Sequence, residues 1–366
     1  MEQVRGIVLP SPTVFLDDGR VDEKLMRELT DWFIACRPDA AIKVSKQGGC
    51  RRMKIRFAMV LFVTVWLGGM AYAPASAQER VRLALSVRNV VFLPFYYAKD
   101  TKIFDKHGLN VEIIQMRSDL QLAGLASCEV DYTPSIGPAG AAFANGMPVK
   151  AVAVLYHAPL FALVSPPAIA SVKNLEGKKV AVSRIGSESH RYGSLMIESG
   201  GADPKKVTFI QTGSTTVSLT AIQQGSVNAA VLSPPFTGIM AEKGFKILGR
   251  SRSLAEAPWL GLVVHRQKAE RQPDQVRNML SSMRDVSAVI RRDKPAVVSY
   301  IEKNFKVSTT NAASSYEEIF GVMVDSLMLS EKKIQDYLDG SHARGELPKP
   351  IAAAEMFDFS LLRGLK

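Results

Sequence analysis

Residues 81–116 read VRLALSVRNVVFLPFYYAKDTKIFDKHGLNVEIIQM, and this stretch indicates the fold class of the chain. Apolar runs at 81–87 and 111–116 predict two short strands, and a helix is predicted over 93–106 between them. Pro94 lies in the first turn of that helix and Gly108 just beyond its end, where these residues are favoured. A strand, a helix and a second strand in succession are typical of a parallel sheet covered by helices.

The same alternation continues along the chain and divides into two similar sets. The first set has further predicted helices at 120–127 and 137–145 and strands at 130–133 and 149–155. The second set has predicted strands at 179–183, 207–211, 229–232 and 246–248, with helices at 189–199, 217–224 and 236–243. From about 273 the pattern is helical, at 273–292, 294–304, 312–320 and 331–340. The extended stretches 160–165 and 260–265 flank the second set and are candidate hinge strands.

Composition and charge argue against several protein classes. The formal net charge is +11, but the lysines and arginines are scattered, so we expect no nucleic-acid partner. A basic surface of this kind favours anionic ligands. The cysteines are Cys36, Cys50 and Cys128, and no Cys/His cluster has the spacing of a metal site. We expect Cys128 to be a small buried residue.

Residues 51–77 read RRMKIRFAMVLFVTVWLGGMAYAPASA and have the pattern of a secretory signal peptide. Basic residues precede the apolar run 57–67, which is too short for a comfortable transmembrane helix. The small residues Ala75 and Ala77 predict cleavage after Ala77. No cysteine follows the run, so a lipoprotein anchor is not expected. The sequence therefore predicts a signal peptide at 53–77 and a periplasmic mature chain.

Residues 1–52 precede Met53, which is well placed to be the true start. Residues 6–40 resemble the opening strand and helix of the dihydrodipicolinate synthase family of (β/α)8 lyases. One such unit cannot close a barrel. A fusion, a misassigned start and a frameshifted neighbour all remain open as explanations, and we predict that 1–52 is an extension without a part in function.

Five segments resemble, in order, the periplasmic solute-binding proteins of the nitrate/sulfonate/taurine type, a group that includes the thiamine-pyrimidine synthase-like proteins. They are LPFYYAKDTKIFDKHGLNVEII at 93–114, LASCEVDYTPSIGPAGAAFANGMPVKAVAVL at 125–155, SVKNLEGKKVAVSRIGSESH at 171–190, GADPKKVTFIQTG at 201–213 and AIQQGSVNAAVLSPPFTGIMAEKGFKIL at 221–248. The resemblance implies an α/β, two-lobed periplasmic-binding-protein fold of type II, with a helical C-terminal tail. It implies lobes at 78–164 plus 265–366 and at 165–264, closing around ligand. It also implies a monomer that works with an ABC permease and ATPase.

Ligands of open parallel sheets bind beyond the carboxyl ends of the strands. That rule selects the loops after the predicted strands. The candidate ligand-binding residues are Arg88, Asn89, Phe92, Ser118, Ser135, Gly137, Tyr156, Arg184, Gly186, Ser187, Ser189, Ser214, Thr215 and Pro234.

Three candidate clusters have small or hydroxylated residues at a helix start, at 135–137, 186–187 and 213–216. Free backbone N–H groups and the helix dipole favour an anion there, although serine and threonine also serve as ordinary N-caps. Arg88 or Arg184 could pair with an anion or be solvated. Phe92, Tyr156 and Phe236 could stack on a ligand or belong to the core. We expect the charged tail helices to be solvated.

The sequence predicts a small-molecule binding protein that is not an enzyme and that has no cofactor and no metal. There is no GxSxG, HExxH, P-loop or CxxC motif. One alternative is an enzyme like the thiamine-pyrimidine synthases, but their pyridoxal-phosphate lysine and cysteine-rich iron motif have no counterpart here. Another is a periplasmic sensor module, which the sequence does not distinguish from a transport component. Sulfonates, other small organic anions and pyrimidine precursors all remain open as ligands.

Overall fold

A computed structural model of the protein describes residues 78–118, 120–254 and 256–365, all within one compact unit. The predictions for the extension at 1–52 and for the signal peptide at 53–77 lie outside the described residues.

Largely apolar strands form the first sheet, and those at 149–156 and 260–265 are buried on both faces, as expected when helices cover a sheet. β1 pairs in parallel with β2 along its whole length, and a parallel bridge from Leu83 to Tyr132 links β1 to the segment that leads into β3. β10 pairs antiparallel with β3 and β4, so the spatial order is β2-β1-β3-β10-β4. The strands are β1 (Glu79–Leu85), β2 (Leu109–Gln115), β3 (Thr133–Ser135), β4 (Val149–Tyr156) and β10 (Leu260–His265).

The second sheet repeats this plan with the order β7-β6-β8-β5-β9. β6 is parallel to β7 and β8, whereas β5 is antiparallel to β8 and β9. In both sheets the fourth strand is the antiparallel one, β10 in the first sheet and β5 in the second. The prediction of two mostly parallel sheets flanked by helices is confirmed. The strands are β5 (Ala162–Ser165), β6 (Lys179–Val182), β7 (Thr208–Gln211), β8 (Ala229–Leu232) and β9 (Lys246–Arg250).

Each sheet and its helices form a lobe. The first lobe carries α1 (Leu93–Asp100), α2 (Ile103–Lys106), α3 (Gln121–Ala126) and α4 (Ile136–Ala144). The second lobe carries α5 (Glu188–Ser199), α6 (Thr215–Gln223) and α7 (Phe236–Glu242). The tail is helical, as predicted, and its buried side chains join the core of the first lobe. Its helices are α8 (Arg266–Arg271), α9 (Pro273–Arg292), α10 (Lys294–Phe305), α11 (Thr309–Phe320), α12 (Glu331–Ala343), α13 (Ala353–Met356) and α14 (Ser360–Arg363).

Three local predictions were wrong. The helix predicted at 93–106 is two helices, because Lys102 has a left-handed backbone (φ 59°) that interrupts the helical hydrogen bonds. The strand predicted at 130–133 begins only at Thr133, and the preceding residues bond irregularly to Arg82. Cys128 is exposed rather than buried, because it has a left-handed backbone (φ 59°) in the turn just after α3.

The chain passes between the lobes at 157–161 and at 251–259. Hydrogen bonds hold these two segments together: Phe161 N–H donates to Ser251 Oγ at 2.9 Å, and Ala257 N–H donates to the carbonyl of His157 at 2.7 Å. The stretches proposed as hinge strands, 160–165 and 260–265, contain β5 and β10, the antiparallel strand of each sheet. Within the described ranges, no helix is long and apolar enough to cross a membrane.

Candidate ligand-binding site

The two sheets point the carboxyl ends of their parallel strands at one cavity of about 590 Å³. Four serines follow four of these strands and all line it: Ser86 after β1, Ser135 at the end of β3, Ser183 after β6 and Ser233 after β8. A cavity of this size suits a small organic molecule. The site therefore lies where the rule for open parallel sheets places it, and both lobes contribute walls.

Most of the residues predicted to bind ligand line this cavity together. From the first lobe come Asn89, Phe92, Ser118, Ser135 and Gly137, and from the second come Arg184, Gly186, Ser187, Ser189 and Thr215.

Side-chain hydrogen bonds orient the first-lobe serine and asparagine. Gln121 is fully buried, and its Oε1 accepts from the hydroxyls of Thr133 at 2.7 Å and Ser135 at 2.9 Å. Asn89 is also buried, and its Oδ1 accepts from Val91 N–H at 2.8 Å. The Asn89 amide reaches Ser233 Oγ of the other lobe at 3.5 Å. The base of the cavity is thus a contact between the lobes.

Three serine hydroxyls cluster on the second-lobe wall at the start of α5. Ser183 Oγ lies 3.2 Å from Ser187 Oγ and 2.8 Å from Ser189 Oγ, and the last two are 3.0 Å apart. Ser187 precedes α5 but makes no capping bond; its hydroxyl donates to the carbonyl of Arg184 at 2.7 Å. Ordinary N-capping therefore does not explain Ser187.

Glu188, the first residue of α5, brings a carboxyl group into the same cavity. Its Oε2 accepts the indole N–H of Trp259 at 2.8 Å. Its Oε1 lies beside Gly137: a Cβ at that glycine would stand only 2.7 Å away. Burial raises the pKa of Glu188 to about 7, against the smaller lowering effects of the Trp259 hydrogen bond and the Arg191 charge.

An ion pair between the lobes closes one side of the cavity. Arg191 of α5 donates from Nε to Glu346 Oε1 at 2.6 Å, and Arg344 donates to the same carboxylate at 2.8 Å. The pKa of Glu346 is lowered by these two arginines, although its partial burial acts in the opposite direction. The Arg191 guanidinium also lies over the rings of Tyr192 and Tyr337. Arg191 is therefore held by Glu346 and these rings.

The NMT1/THI5-like family matches residues 89–291, which include both walls of the cavity except Ser86, Val87 and its tail residues. The chain belongs to the NMT1/THI5-like family. No curated protein matches the chain.

Solved structures share the fold of this NMT1/THI5-like protein at low sequence identity. The alkanesulfonate-binding protein SsuA from Xanthomonas axonopodis pv. citri, bound to MOPS, is 17% identical with a TM-score of 0.64, over 77% of this chain and 98% of that chain. The periplasmic nitrate-binding protein NrtA from Synechocystis PCC 6803 is 14% identical with a TM-score of 0.64, over 78% and 87%.

A Candida albicans protein described as having the generic periplasmic binding protein fold is 15% identical with a TM-score of 0.61, over 77% of this chain and 96% of that chain. The likenesses show a shared fold, so the predicted two-lobed periplasmic-binding-protein fold is confirmed. The match to the family model over residues 89–291 confirms the predicted family.

Four residues predicted to bind ligand do not line the cavity of this NMT1/THI5-like protein. Arg88 lies over the rings of Tyr96 and Phe305, at 4.7 and 5.7 Å. Tyr156 is fully buried and packs on Trp259. Ser214 caps α6 by accepting from Val217 N–H at 3.3 Å. Pro234 is buried behind Ser233.

Sequence reasoning missed the contribution of the segment before β10 and of the tail. Trp259, Tyr337 and Glu346 all line the cavity, although the tail was expected to be solvated. The sequence does contain a signal for this part of the tail. One face of α12 carries residues at helical spacing, and that face is turned inward: Ile334, Tyr337, Leu338 and Ser341. Arg191, also absent from the predicted set, lies on α5 one turn after Glu188.

Proposed function

We propose that this chain is the substrate-binding component of an ABC import system and captures a small organic solute in the periplasm. The observation that carries the proposal is the cavity of about 590 Å³ whose walls come from both lobes. A solute held there contacts both lobes at once, so binding stabilises the closed form. The two lobes, predicted at 78–164 plus 265–366 and at 165–264, meet at the crossing segments 157–161 and 251–259, so β5 belongs to the second lobe and β10 to the first.

Contacts between the lobes support closure as the response to ligand. Asn89 contacts Ser233 at the base of the cavity, and Arg191 pairs with Glu346 at its side. Others lie outside the cavity: the Asn311 amide donates to the carbonyl of Pro235 at 3.0 Å, and Arg250 pairs with Glu318 at 2.6 Å. Polar contacts of this kind break and re-form in water, as expected of lobes that separate and rejoin.

The solute carries an anionic group that lies against the second-lobe wall. Ser183, Ser187 and Ser189 offer hydroxyl donors at the start of α5, where the helix dipole also favours negative charge. Arg184 lines the cavity beside them. Sulfonates, nitrate, taurine-like compounds and pyrimidine precursors are the classes to test, because similar folds include an alkanesulfonate-binding and a nitrate-binding protein.

Capture involves no chemistry on the solute. Among the residues that the structure describes, those lining the cavity include no lysine, cysteine or histidine. Such a wall offers no amine for a Schiff base and no thiol nucleophile. The chain then acts as a monomer that delivers its solute to a permease driven by an ATPase. Its periplasmic location rests on the signal peptide predicted at 53–77.

The experiment is a thermal-shift screen of the purified protein, dialysed free of small molecules, followed by calorimetry. The panel contains alkanesulfonates, MOPS, taurine, nitrate, aromatic carboxylates and formylaminopyrimidine. A ligand that binds only the folded state must raise the melting temperature, and it does so saturably.

The Ser183→Ala/Ser187→Ala double variant should bind the anionic ligand about tenfold or more weakly, because it lacks two hydroxyl donors. Ser226→Ala, an exposed serine in the same lobe, is the matched control. No shift with any compound would contradict the proposal.

A further inference from the structure

The cavity contains one carboxyl group without a cationic partner. Glu346 is bonded by Arg191 and Arg344, whereas Glu188 accepts only the neutral indole N–H of Trp259. No cation of the described chain forms an ion pair with Glu188; Arg191, one turn along α5, is bonded to Glu346 instead. A buried carboxylate that lacks a partner is unfavourable, so such groups are normally paired, hydrogen-bonded or neutral.

The second oxygen of Glu188 is available to a ligand. Oε2 is occupied by Trp259, and Oε1 lies against the Cα of Gly137, which has no side chain to cover it. Glu188 is half-buried, and the surface it keeps belongs to the cavity wall. An atom in the cavity can therefore reach Oε1.

The walls around Glu188 are flat and aromatic. Trp259 and Phe161 meet edge to face with ring centroids 5.6 Å apart, and both line the cavity. Tyr337 lines it as well, and its hydroxyl would lie 3.4 Å from a Cβ placed on Gly137. Aromatic faces attract a positively charged nitrogen as well as apolar groups. The Glu188 carboxylate and the aromatic rings thus both favour a ligand group with a positively charged nitrogen.

We propose that the solute is zwitterionic, with a protonated amine or amidine nitrogen that donates to Oε1 of Glu188 while its anionic group lies at the serine cluster. This inference rests on the proposed function, since it names the chemistry of the same site. It adds a second recognition point and excludes simple anions, such as nitrate and unsubstituted alkanesulfonates, as the preferred ligands.

The proton on Glu188 gives this recognition a pH signature. Because burial raises its pKa to about 7, ligand-free Glu188 is largely neutral at pH 6 and largely ionised at pH 8. A cationic nitrogen binds the ionised form, so affinity rises as pH rises through 7 and levels off above it.

Apart from His190, the groups that face Glu188 do not change protonation between pH 6 and pH 8. On its own helix these are Arg191 and Tyr192, whose pKa values are raised; Tyr337 of α12 also has a raised pKa, and that of Glu346 is lowered. The adjacent His190 is the exception that requires a control. Burial lowers its pKa, and its ring packs on Phe209.

The test uses pairs of probes that differ only in the nitrogen: 4-(aminomethyl)benzenesulfonate against 4-methylbenzenesulfonate, 4-(aminomethyl)benzoate against 4-methylbenzoate, and taurine against ethanesulfonate. Their dissociation constants are measured by calorimetry at pH 6 and pH 8. We expect at least one nitrogen-bearing member to bind at least about tenfold more tightly than its partner, and about tenfold more tightly at pH 8 than at pH 6.

Variants assign the effect to Glu188. Glu188→Gln keeps an acceptor for Trp259 but cannot ionise, so it should lose both the preference for nitrogen and the pH dependence. His190→Gln should keep both. Tighter binding of the members that lack nitrogen, or an unchanged preference in Glu188→Gln, would overturn the inference and leave the binding-protein proposal standing. If no probe, nitrate included, binds at either pH, both fail.

Discussion

Gly137 and Glu188 lie against each other where the two walls of the cavity meet, and the glycine leaves the room that the carboxyl group occupies. A Cβ at Gly137 would lie 2.7 Å from Glu188 Oε1, closer than any ordinary contact. Gly137 belongs to the first lobe and Glu188 to the second. Their contact therefore fixes how closely the two walls approach.

Gly137→Ala should displace the Glu188 carboxyl and weaken solute binding about tenfold or more, because the new methyl group takes the space of Oε1. Gly140→Ala is the comparison on the same helix, since Gly140 also lines the cavity but its Cβ would meet Leu347 at an ordinary 3.6 Å and would not touch Glu188. Both changes favour helix α4 by about 1 kcal/mol, so a stability change alone does not separate them. Calorimetry with the best ligand of the screen does: equal affinities in the two variants would contradict the prediction.

Glu188 should also make the ligand-free protein less stable at alkaline pH. Its pKa is about 7 when folded and near 4.5 when unfolded, so the unfolded state releases the proton first as pH rises. The contribution of protonated Glu188 to the free energy of unfolding is therefore fully present below pH 4.5 and is lost as the pH rises through 7. Glu188→Gln should recover on the order of 2 kcal/mol at pH 8 relative to pH 5. Urea unfolding at the two pH values measures this, and parallel pH profiles for the two proteins would refute it.

Breaking the Arg191–Glu346 ion pair, one of those that join the lobes, should favour the open form. Arg191→Ala removes the 2.6 Å bond to Glu346, whose carboxylate keeps Arg344 as a partner. We expect the closed form to be destabilised by about 1–2 kcal/mol relative to the open form, which should raise the dissociation constant of the solute about tenfold. Small-angle X-ray scattering should show a larger radius of gyration at subsaturating ligand. Lys332→Ala, which removes an exposed ion pair with Asp336 on α12, should change neither quantity.

Gly261 tests the packing of the first sheet. A Cβ there would stand 2.1 Å from the carbonyl oxygen of Ala153 on the paired strand β4, and backbone cannot move aside cheaply. Gly261→Ala should lower the free energy of unfolding by at least about 2 kcal/mol. Gly249→Ala on β9 is the control, because its nearest contact is Met196 at 3.7 Å. Similar urea midpoints for the two variants would show that the sheet accommodates the methyl group.

The sheets and the loop residues of the site were predictable because both follow from local patterns. Strand–helix alternation predicts parallel sheets, and the strand ends then select residues such as Ser135 and Ser187. Trp259, Tyr337 and Glu346 were not predicted, because the segment before β10 and the tail reach the cavity only through tertiary packing. Arg88 and Tyr156 were selected by the same strand-end rule, but the residues after a strand alternate in direction, and these two side chains meet aromatic rings instead.

The predicted helix at 93–106 shows a second limit of local patterns. The apolar spacing and the flanking Pro94 and Gly108 suit one continuous helix, but Thr101 and Lys102 form a turn between α1 and α2. The turn lets α1 and α2 each pack against α9, which lies about 170 residues further along the chain. Contacts so distant in sequence leave no trace in an 18-residue window.

A solute that binds in the cavity beside Trp259 should change the fluorescence of that residue. Trp259 is the only tryptophan among residues 78–365, and Trp32 and Trp66 precede them. A ligand that raises the melting temperature should change the emission saturably, with the dissociation constant found by calorimetry, and Trp259→Phe should abolish the change while retaining some binding. An emission change that persists in Trp259→Phe, or calorimetric binding with no change in the parent protein, would place the ligand elsewhere and contradict the account.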